Sequence, residues 1–447
     1  MCPLRYYFND YILDTSTHEL LHDLHPVALE PQVFRLLHYL IIQAPQLVTR
    51  HELTQLLWPT THVSDAALFY TITAARRAIG DTGRVQRTIK TIYRQGYRWI
   101  RPITVEPDSL PPALPLIPHT TVSDAQWYSL RQLWVSALTR GTFANTYQFA
   151  TYLLQLGIQH DAPLLQSDAH GKLGTACLFQ GDFVPARQHF SEALRLHPHP
   201  DHRTTLIRWN GWTLWFLGYP AQALAAVQTA FTQALLCQHP SCLAYAHIFR
   251  ALMHYCRREP VPAQRAAEAL LTLHIGDNFL QHYAHILVAA VRHDSTALHT
   301  TIARYQAQGL RLGLSMFWTW EATTLMAHDV TAALVCIEKA HRHLVETGET
   351  FYGAEITRLH GELLQATGAA PERYRVMFEQ ALTLAQQQQA RAWELRAATS
   401  LARYWQRQGA PHHGIAGLAS ILSWYSEGRD TVDLQDAFFR LAQLRMP

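Results

Sequence analysis

The spacing of hydrophobic and polar positions divides this chain into a short mixed region and a long helical one. Apolar and polar residues alternate over residues 6–13 and 18–29, which predicts two short strands joined by a polar turn at residues 14–16. From Pro31 onwards, apolar residues recur at helical spacing, and proline is well suited to the first turn of a helix. The chain is therefore predicted to begin with a strand pair followed by a helix.

Two further helices and a hairpin are predicted next. Thr49 can cap a second helix, because Glu52 follows three residues later and completes a capping box. A third helix is predicted over residues 64–79. Its apolar face consists of Leu68, Ile72, Ala75 and Ile79. Residues 88–93 and 97–100 are rich in β-branched and aromatic residues on either side of a glycine-containing turn, which predicts a β-hairpin.

Positive charge is concentrated on the third helix and the hairpin. Residues 76–101 contain a single acid, Asp81, among many basic residues. The basic residues are Arg76, Arg77, Arg84, Arg87, Lys90, Arg94, Arg98 and Arg101. The formal net charge of the whole chain is only +3, so this positive charge is local. A basic helix next to a basic hairpin is typical of proteins that bind nucleic acid.

The order of these elements resembles the winged-helix output domain of the OmpR/PhoB type. The segments that carry the resemblance are VALEPQVFRLLHYL, LVTRHELTQLLWP, VSDAALFYTI, RRAIGD and TIYRQGYRW, within about residues 5–103. The resemblance implies that the third helix lies in the DNA major groove. It also implies that the hairpin, or wing, contacts the minor groove or the backbone, and that the loop at residues 59–62 contacts RNA polymerase.

The resemblance and the helix geometry together identify candidate DNA contacts. They are Ala66, Tyr70, Thr73, Ala74, Arg76, Arg77, Tyr93, Arg94, Tyr97 and Arg98. Several family members have arginines where this chain has Ala66, Thr73 and Ala74, so bidentate contacts of arginine with guanine are not expected there. Base reading is instead expected from Tyr70, Thr73 and Arg77, with apolar contacts to thymine methyl groups.

Two structural alternatives to DNA contact stay open within this domain. Tyr97 and Trp99 can be core residues of the wing, since aromatic residues in hairpins commonly pack against neighbouring side chains. Arg76 can pair with an acid inside the domain instead of reaching DNA.

Proline marks the boundary between the two regions. Residues 104–123 contain five prolines, which oppose helix formation and predict a stiff, extended spacer. We therefore predict a winged helix at residues 1–103, the spacer at 104–123 and a helical repeat domain at 124–447. The predicted fold class is mainly α, with an α+β winged helix followed by an α–α solenoid.

The helical region has the periodicity of tetratricopeptide repeats, shown best by LGTACLFQGDFVPARQHFSEALRLHP. The turn inside each repeat favours glycine or a polar residue, and its recurrence predicts eight helix pairs and a capping helix at residues 432–444. The predicted turn positions are Gly141, Gly181, Gly218, Arg258, His293, His328, Gly368 and Gly409. The region also resembles the C-terminal repeats of bacterial regulators that carry a STAND-type ATPase and sometimes an adenylate cyclase domain.

Tetratricopeptide-like arrays bury their core between neighbouring repeats and expose a long concave surface that binds partners. Several aromatic and basic residues fall at positions that face this groove, where a peptide or small effector would bind. They are Trp212, Trp215, Tyr255, Trp318, Arg396, Arg403 and Arg407. Packing between helices is the alternative for Trp212 and Trp215.

Several classes of site are not predicted. No GxxxxGK[ST] loop occurs, so ATP-driven switching is not expected. His197, His199 and His202 are close in sequence but are separated by prolines, and no metal site is expected there. No catalytic constellation or cofactor motif is recognisable, and we expect no enzyme. Scattered cysteines, the lack of a long apolar run and an N-terminus without signal-peptide character indicate a cytoplasmic protein without a membrane partner.

The predicted function is that of a DNA-binding transcription regulator. The helix at residues 64–79 and the wing at residues 88–100 would read promoter DNA. The repeat array would sense an effector, bind a partner protein or mediate self-association. No receiver domain precedes the winged helix, so input is expected from the repeats. The alternative is an interaction scaffold whose winged helix binds a protein instead of DNA.

Overall fold

The computed structural model of this chain describes residues 4–14, 19–22, 25–58, 65–93, 95–101, 103–107, 134–196, 200–237, 240–273 and 278–445. The chain divides into two compact units, Met1–Gln132 and Leu133–Pro447. The first unit combines eight described strands with three described helices, whereas the described residues of the second unit contain helices and no strands. The predicted fold class is confirmed.

The first unit contains an antiparallel five-stranded sheet in the order β4-β3-β2-β1-β8. Its strands are β1 (Leu4–Phe8), β2 (Tyr11–Asp14), β3 (Glu19–His22), β4 (His25–Val27) and β8 (Thr104–Pro107). The two short strands predicted at residues 6–13 and 18–29 are each replaced by two shorter strands, so the predicted strand ends were wrong. At the first split, Asn9 has a φ of 49°, a left-handed conformation that asparagine adopts more readily than most residues. Strand β8 pairs with β1, although the sequence placed residues 104–107 in the spacer.

The winged helix is built from helices α1 (Pro31–Ile42), α2 (Arg50–Leu57) and α3 (Asp65–Ala78) and a three-stranded sheet. This sheet contains β5 (Leu47–Thr49), β6 (Ile89–Ile92) and β7 (Gly96–Trp99), with β7 in the centre. The predicted capping box is confirmed, because the Glu52 N–H donates to Thr49 Oγ1 at 3.2 Å and Thr49 N–H donates to Glu52 Oε2 at 3.4 Å. The predicted hairpin is β6–β7.

A single hydrophobic cluster joins the two sheets and the three helices of this unit. The predicted apolar face of α3 is buried in it at Leu68, Ile72, Ala75 and Ile79. The fully buried Trp99 of β7 meets the ring of Phe8 edge-on, with ring centroids 4.9 Å apart. This packing fixes the wing against the N-terminal sheet.

The second unit is an array of antiparallel helices that starts with a helical segment at residues 134–139. The helices that follow are α4 (Phe143–Gln159), α5 (Pro163–Phe179), α6 (Phe183–Arg195), α7 (Pro200–Phe216), α8 (Pro220–Cys237), α9 (Pro240–Cys256), α10 (Pro260–Leu271), α11 (Asn278–Val291), α12 (Ser295–Ala307), α13 (Leu314–Leu325), α14 (Val330–Thr347), α15 (Gly353–Ala366), α16 (Pro371–Gln387), α17 (Arg391–Arg407), α18 (His412–Trp424) and α19 (Val432–Leu444). Within the described ranges they form the predicted eight pairs and capping helix. None of the described helices is long and apolar enough to cross a membrane.

The turns inside the pairs lie where the sequence predicted them. Seven of the eight predicted positions have a left-handed backbone, and the exception is His328. The seven are Gly141, Gly181, Gly218, Arg258, His293, Gly368 and Gly409. Glycine reaches this conformation without steric penalty. At Gly218 it is also required by space, since an added Cβ would lie 2.6 Å from Arg391 Cβ and 2.7 Å from the Trp424 ring.

The array returns on itself, so distant repeats touch. The carbonyl oxygen of Thr139 accepts hydrogen bonds from the N–H groups of Arg311 and Leu312, and that of Phe179 accepts one from Phe351. These contacts join residues more than 170 positions apart. The prediction that helices pack only against neighbouring repeats and leave a long open concave surface was therefore wrong, because later repeats cover part of the inner face.

Candidate functional site

Helix α3 presents an exposed face to solvent opposite its buried one. This face consists of Ala66, Phe69, Tyr70, Thr73, Ala74 and Arg77. The side chains of Phe69 and Tyr70 are 60% and 72% exposed, which is high for aromatic residues. The Thr73 hydroxyl donates to the Phe69 carbonyl oxygen at 2.8 Å, so its hydrogen is already engaged. The surface is therefore mainly apolar, with Arg77 as its cation.

Arg76 does not belong to this face. Its side chain is 5% exposed, and its guanidinium donates to the Ile89 carbonyl oxygen at 2.7 and 3.2 Å and to Thr91 Oγ1 at 2.8 Å. The prediction of Arg76 as a DNA contact is corrected, because helix geometry turns it toward strand β6. The alternative of an acid partner is borne out in part: the charge of Asp81 opposes the burial that lowers the pKa of Arg76, while the hydrogen bonds of Arg76 go to a backbone carbonyl and a hydroxyl. Arg76 ties α3 to the wing.

Asp81 organises the turn that leads from α3 to the wing. Its two carboxylate oxygens accept four backbone hydrogen bonds of 2.8 to 3.0 Å, from the N–H groups of Thr82, Arg87, Thr88 and Ile89. Burial by itself would raise the pKa of Asp81, but these hydrogen bonds outweigh it and the pKa is lowered. The sequence marked Asp81 only as the single acid in a basic segment and did not reveal this role.

The wing places its candidate residues in different environments. Tyr93 is exposed at the hairpin tip, and Arg94 lies outside the described residues. Tyr97 is only 5% exposed and belongs to the hydrophobic cluster, so its prediction as a DNA contact is corrected in favour of the core alternative. Arg98 is half-buried, and its Nε has no hydrogen-bond partner among the described residues.

Two basic residues face each other across the wing. Lys90 of β6 pairs in register with Arg98 of β7, and Lys90 is exposed. Like charges directly opposite each other in a sheet are destabilising unless an anion lies between them. Arg77, Arg84 and Arg87 are also exposed nearby in sequence. Residues 76–101, from the end of α3 through the wing, thus form a basic surface, and the acid of this segment, Asp81, is buried.

In the second unit, the structure separates the residues predicted to line one groove. Trp212 and Trp215 are 2% and 4% exposed and pack edge-on against Phe351 and Trp393, at 5.5 and 4.9 Å between ring centroids. Their prediction as groove residues is corrected, because the returning array covers them. Trp318 is also buried, against His343.

The other predicted groove residues stay accessible. Tyr255, Arg396 and Arg403 line one cavity of about 390 Å³ between helices α9, α13, α15, α17 and α19. Arg407 is exposed beside Arg403 in a second depression that also includes Glu362. Of the predicted groove residues, Tyr255, Arg396 and Arg403 therefore line the same cavity, and Arg407 lies next to it.

Two further predictions concern metal ions and the polymerase loop. No group of three or more potential metal ligands occurs among the residues that the structure describes. His197 and His199 lie outside the described residues, as does the loop at residues 59–62 that was predicted to contact RNA polymerase.

Comparison with known proteins gives matches for each unit. Residues 25–99 match the family model described as "Transcriptional regulatory protein, C terminal". The transcriptional regulator HilA of Salmonella typhimurium is 28% identical over 140 residues, which are 30% of this chain and 25% of HilA. The chain thus aligns with about a quarter of the length of this curated relative.

Two solved structures align with most of the chain at low identity. A Rap protein in complex with competence and sporulation factor is 11% identical, with 63% of this chain and 88% of the Rap chain covered and a TM-score of 0.45. The apo form of the quorum sensor NprR from B. thuringiensis is 11% identical, with 68% and 89% covered and a TM-score of 0.41. By the family match, residues 25–99 form a transcriptional regulatory protein C-terminal domain of the OmpR/PhoB type, on a chain that continues into an array of antiparallel helix pairs of the tetratricopeptide kind.

Proposed function

We propose that this protein is a DNA-binding transcription regulator, in which α3 enters the major groove and the wing contacts the phosphate backbone. The observation that carries the proposal is the basic surface of residues 76–101, whose one acid, Asp81, is buried and accepts four backbone hydrogen bonds. Duplex DNA is a dense array of negative charges, and lysine and arginine on such a surface supply most of its non-specific affinity. That the matched relative is a transcriptional regulator supports the same reading.

The wing adds a second argument from electrostatics. Lys90 and Arg98 are paired in register across the hairpin, and a phosphate between them would pair with two positive charges. The exposed Arg77 lies at the end of α3 on its outward face, where it can reach a phosphate or a base edge. We therefore propose that Arg77, Lys90 and Arg98 contact phosphates of the DNA backbone and thereby position α3 in the major groove.

The experiment is duplex binding by the full chain as a function of salt. Affinity is expected to fall steeply between about 50 and 200 mM salt. The double variant Lys90→Ala/Arg98→Ala should bind more weakly and lower the salt slope by about 2, since each phosphate contact contributes about one. The matched control is Arg265→Ala/Arg304→Ala, which removes two exposed cations from α10 and α12. A slope that stays unchanged in the wing variant contradicts the proposed docking.

The alternative is a scaffold whose winged helix binds a protein. It is favoured by the exposed aromatic pair Phe69–Tyr70, because aromatic residues are enriched in protein interfaces. The same salt titration separates the two functions, since a scaffold would show no duplex binding at low salt.

For the repeat array we propose a sensor or partner-binding role, with the cavity that contains Tyr255, Arg396 and Arg403 as its site. The protein would act by binding and not by catalysis, in the cytoplasm, with RNA polymerase as a further partner. Because the exposed face of α3 carries one arginine, we also propose that two copies bind adjacent half-sites through self-association of the array. Sedimentation of the DNA complex tests this, and a monomer that binds one half-site tightly contradicts it.

A further inference from the structure

An alternating row of basic and acidic side chains runs along the cavity of the second unit, and all of its members except Glu362 line that cavity. In order along the row, they are Arg258, Asp433, Arg396, Glu355, Arg358, Glu362, Arg403 and Asp436. We call this row the charge ladder. Seven members come from α15, α17 and α19 of consecutive repeats, and Arg258 comes from the turn after α9, which the returning array brings beside them.

Each step of the charge ladder is an ion pair. Arg396 lies at its centre, with Nε 2.8 Å from Asp433 Oδ2 and Nη1 3.1 Å from Glu355 Oε1. Its Nη2 donates to the Cys256 carbonyl oxygen at 3.0 Å. Burial alone would raise the pKa of Glu355, but Arg358 and Arg396 outweigh burial and the pKa is lowered, so Glu355 stays ionised. The ladder therefore presents full charges of both signs to the cavity.

A fully paired ladder restricts what the cavity can bind. A ligand with one charge would have to take a partner away from a ladder residue and leave an opposite charge unpaired in a partly buried site, which is strongly unfavourable. A ligand with one positive and one negative group can insert between two ladder residues and pair with both. The arrangement therefore favours zwitterions over simple anions or cations.

The remaining lining suits an apolar or aromatic group. The rings of Tyr255 and Trp320 pack with centroids 4.9 Å apart, and Tyr352 lines the cavity beside them. Thr319 and Thr323 also line the cavity, and since their hydroxyls donate to helix carbonyl oxygens, these hydroxyls remain as acceptors. The volume of about 390 Å³ lies at the lower end of the range of small-molecule sites, which is about 300–1,000 Å³.

We propose that this cavity binds a small zwitterion, an amino acid or short peptide with free termini, between Arg396 and Asp433. The ammonium group of the ligand pairs with Asp433 and its carboxylate pairs with Arg396, while its side chain contacts Tyr255 and Trp320. The proposal rests on the proposed role of the array as the sensor of a transcription regulator. Because Asp433 belongs to α19, the bound ligand contacts this helix directly.

The test is calorimetry and thermal shift of the full chain with each standard amino acid and with dipeptides that contain one aromatic residue. Any ligand that binds is then compared with its N-acetyl form, its amide form and the doubly blocked form. Loss of either charge is expected to weaken binding at least about tenfold. Blocked forms that bind as well as the zwitterion, or the absence of binding by every compound, overturn the proposal.

Two variants with matched controls locate the site. Arg396→Met/Asp433→Leu removes one charge of each sign and should abolish binding, whereas Arg375→Met/Glu379→Leu, an ion pair on α16, should not. Thr323→Trp fills the cavity from an exposed position and should also abolish binding in a folded protein. Its control is Thr300→Trp, at an exposed threonine of α12 whose hydroxyl donates to the backbone four residues earlier, as that of Thr323 does. Binding that survives in Thr323→Trp overturns the assignment.

Duplex binding measured on the same samples keeps this inference separate from the proposed function. If duplex binding is present and no zwitterion binds, the inference alone fails. If a zwitterion binds and duplex binding is absent, the proposed function fails and the ligand site stands.

Discussion

At the scale of single residues, Asp81 has the clearest stabilising role in the first unit. Its carboxylate satisfies four backbone N–H groups in a turn that has no regular secondary structure. A buried N–H group without a partner costs about 1–3 kcal/mol. The geometry of the approach to the wing therefore depends on one side chain.

We predict that Asp81→Asn lowers the free energy of unfolding of the winged helix by about 2 kcal/mol or more, because the amide nitrogen cannot accept hydrogen bonds. Faster amide exchange at residues 82–89 is the measurement. Since the pKa of Asp81 is lowered on folding, its stabilisation is present above the unfolded pKa and is lost as the pH falls below about 4. The variant should lack this acid-sensitive component; an identical acid response of the two proteins contradicts the role of the carboxylate.

A second prediction at the scale of single residues concerns contacts of Phe69 and Tyr70 with DNA bases. If their exposed rings contact thymine methyl groups, replacing thymine by deoxyuridine in a bound duplex removes contact area without changing any hydrogen bond. Burial of one methyl contributes about 0.8 kcal/mol, so affinity should fall about fourfold per contacted thymine. In Phe69→Ala the sensitivity to deoxyuridine should decrease.

The matched control for Phe69→Ala is Phe439→Ala. Phe439 lies on α19 and is 59% exposed, against 60% for Phe69. Equal sensitivity of wild type and Phe69→Ala to deoxyuridine would remove Phe69 from the recognition surface.

At the scale of elements, the position of the wing depends on α3. Arg76 joins the helix to β6, while Arg77, the next residue, points outward. Adjacent arginines thus have different tasks because successive helical residues are separated by about 100° around the axis. Arg76 connects α3 to β6, whereas Arg77 is exposed and available for contact with DNA.

We predict that Arg76→Met affects the stability of the winged helix, whereas Arg77→Met affects duplex binding. Arg76→Met should lower the free energy of unfolding of the winged helix by about 1.5–3 kcal/mol, since it leaves the Ile89 carbonyl oxygen without its charged donor. Arg77→Met should leave stability within about 0.5 kcal/mol and lower the salt slope of duplex binding by about 1. Denaturation and salt titration of both variants check this, and a lower slope in Arg76→Met alone would reverse the assignment.

At the scale of the whole second unit, contacts between distant repeats close the array. Glu427 Oε1 accepts hydrogen bonds from the N–H groups of Ala221 and Gln222 at 3.0 and 3.1 Å, although more than 200 residues separate them. The glutamate thereby caps the start of α8 from the loop before α19. Arg257 adds an ion pair with Asp430 in the same loop.

We predict that Glu427→Ala destabilises the second unit by about 1 kcal/mol, which is typical of a lost helix cap. Amide exchange should increase at the start of α8 and in α19, far apart in sequence, while that of α12 stays unchanged. Glu427→Gln keeps a carbonyl oxygen as acceptor, so it should lower the free energy of unfolding by less than Glu427→Ala does. Increased exchange confined to α19 would show that this contact does not couple the two segments.

The sequence predicted well those features that depend on neighbouring residues. The capping box at Thr49, the two faces of α3 and the left-handed turns such as Gly181 and Gly409 follow from helix periodicity and from local backbone preferences. The basic character of the α3–wing surface follows from composition alone. Strand ends were less well predicted, since alternation continues through a tight hairpin without interruption.

The environment of individual side chains was decided by the tertiary structure. Arg76 faces strand β6 of the wing, and Tyr97 of β7 packs into the hydrophobic cluster. Trp212 and Trp215 contact rings from repeats more than 130 residues later. Periodicity tells which residues share a face, but what covers that face depends on how the chain returns in space. The sequence by itself thus determined the helices, the turns and the charge, while the cavity beside the charge ladder is closed only because the returning array brings α9 and the turn after it next to α15, α17 and α19.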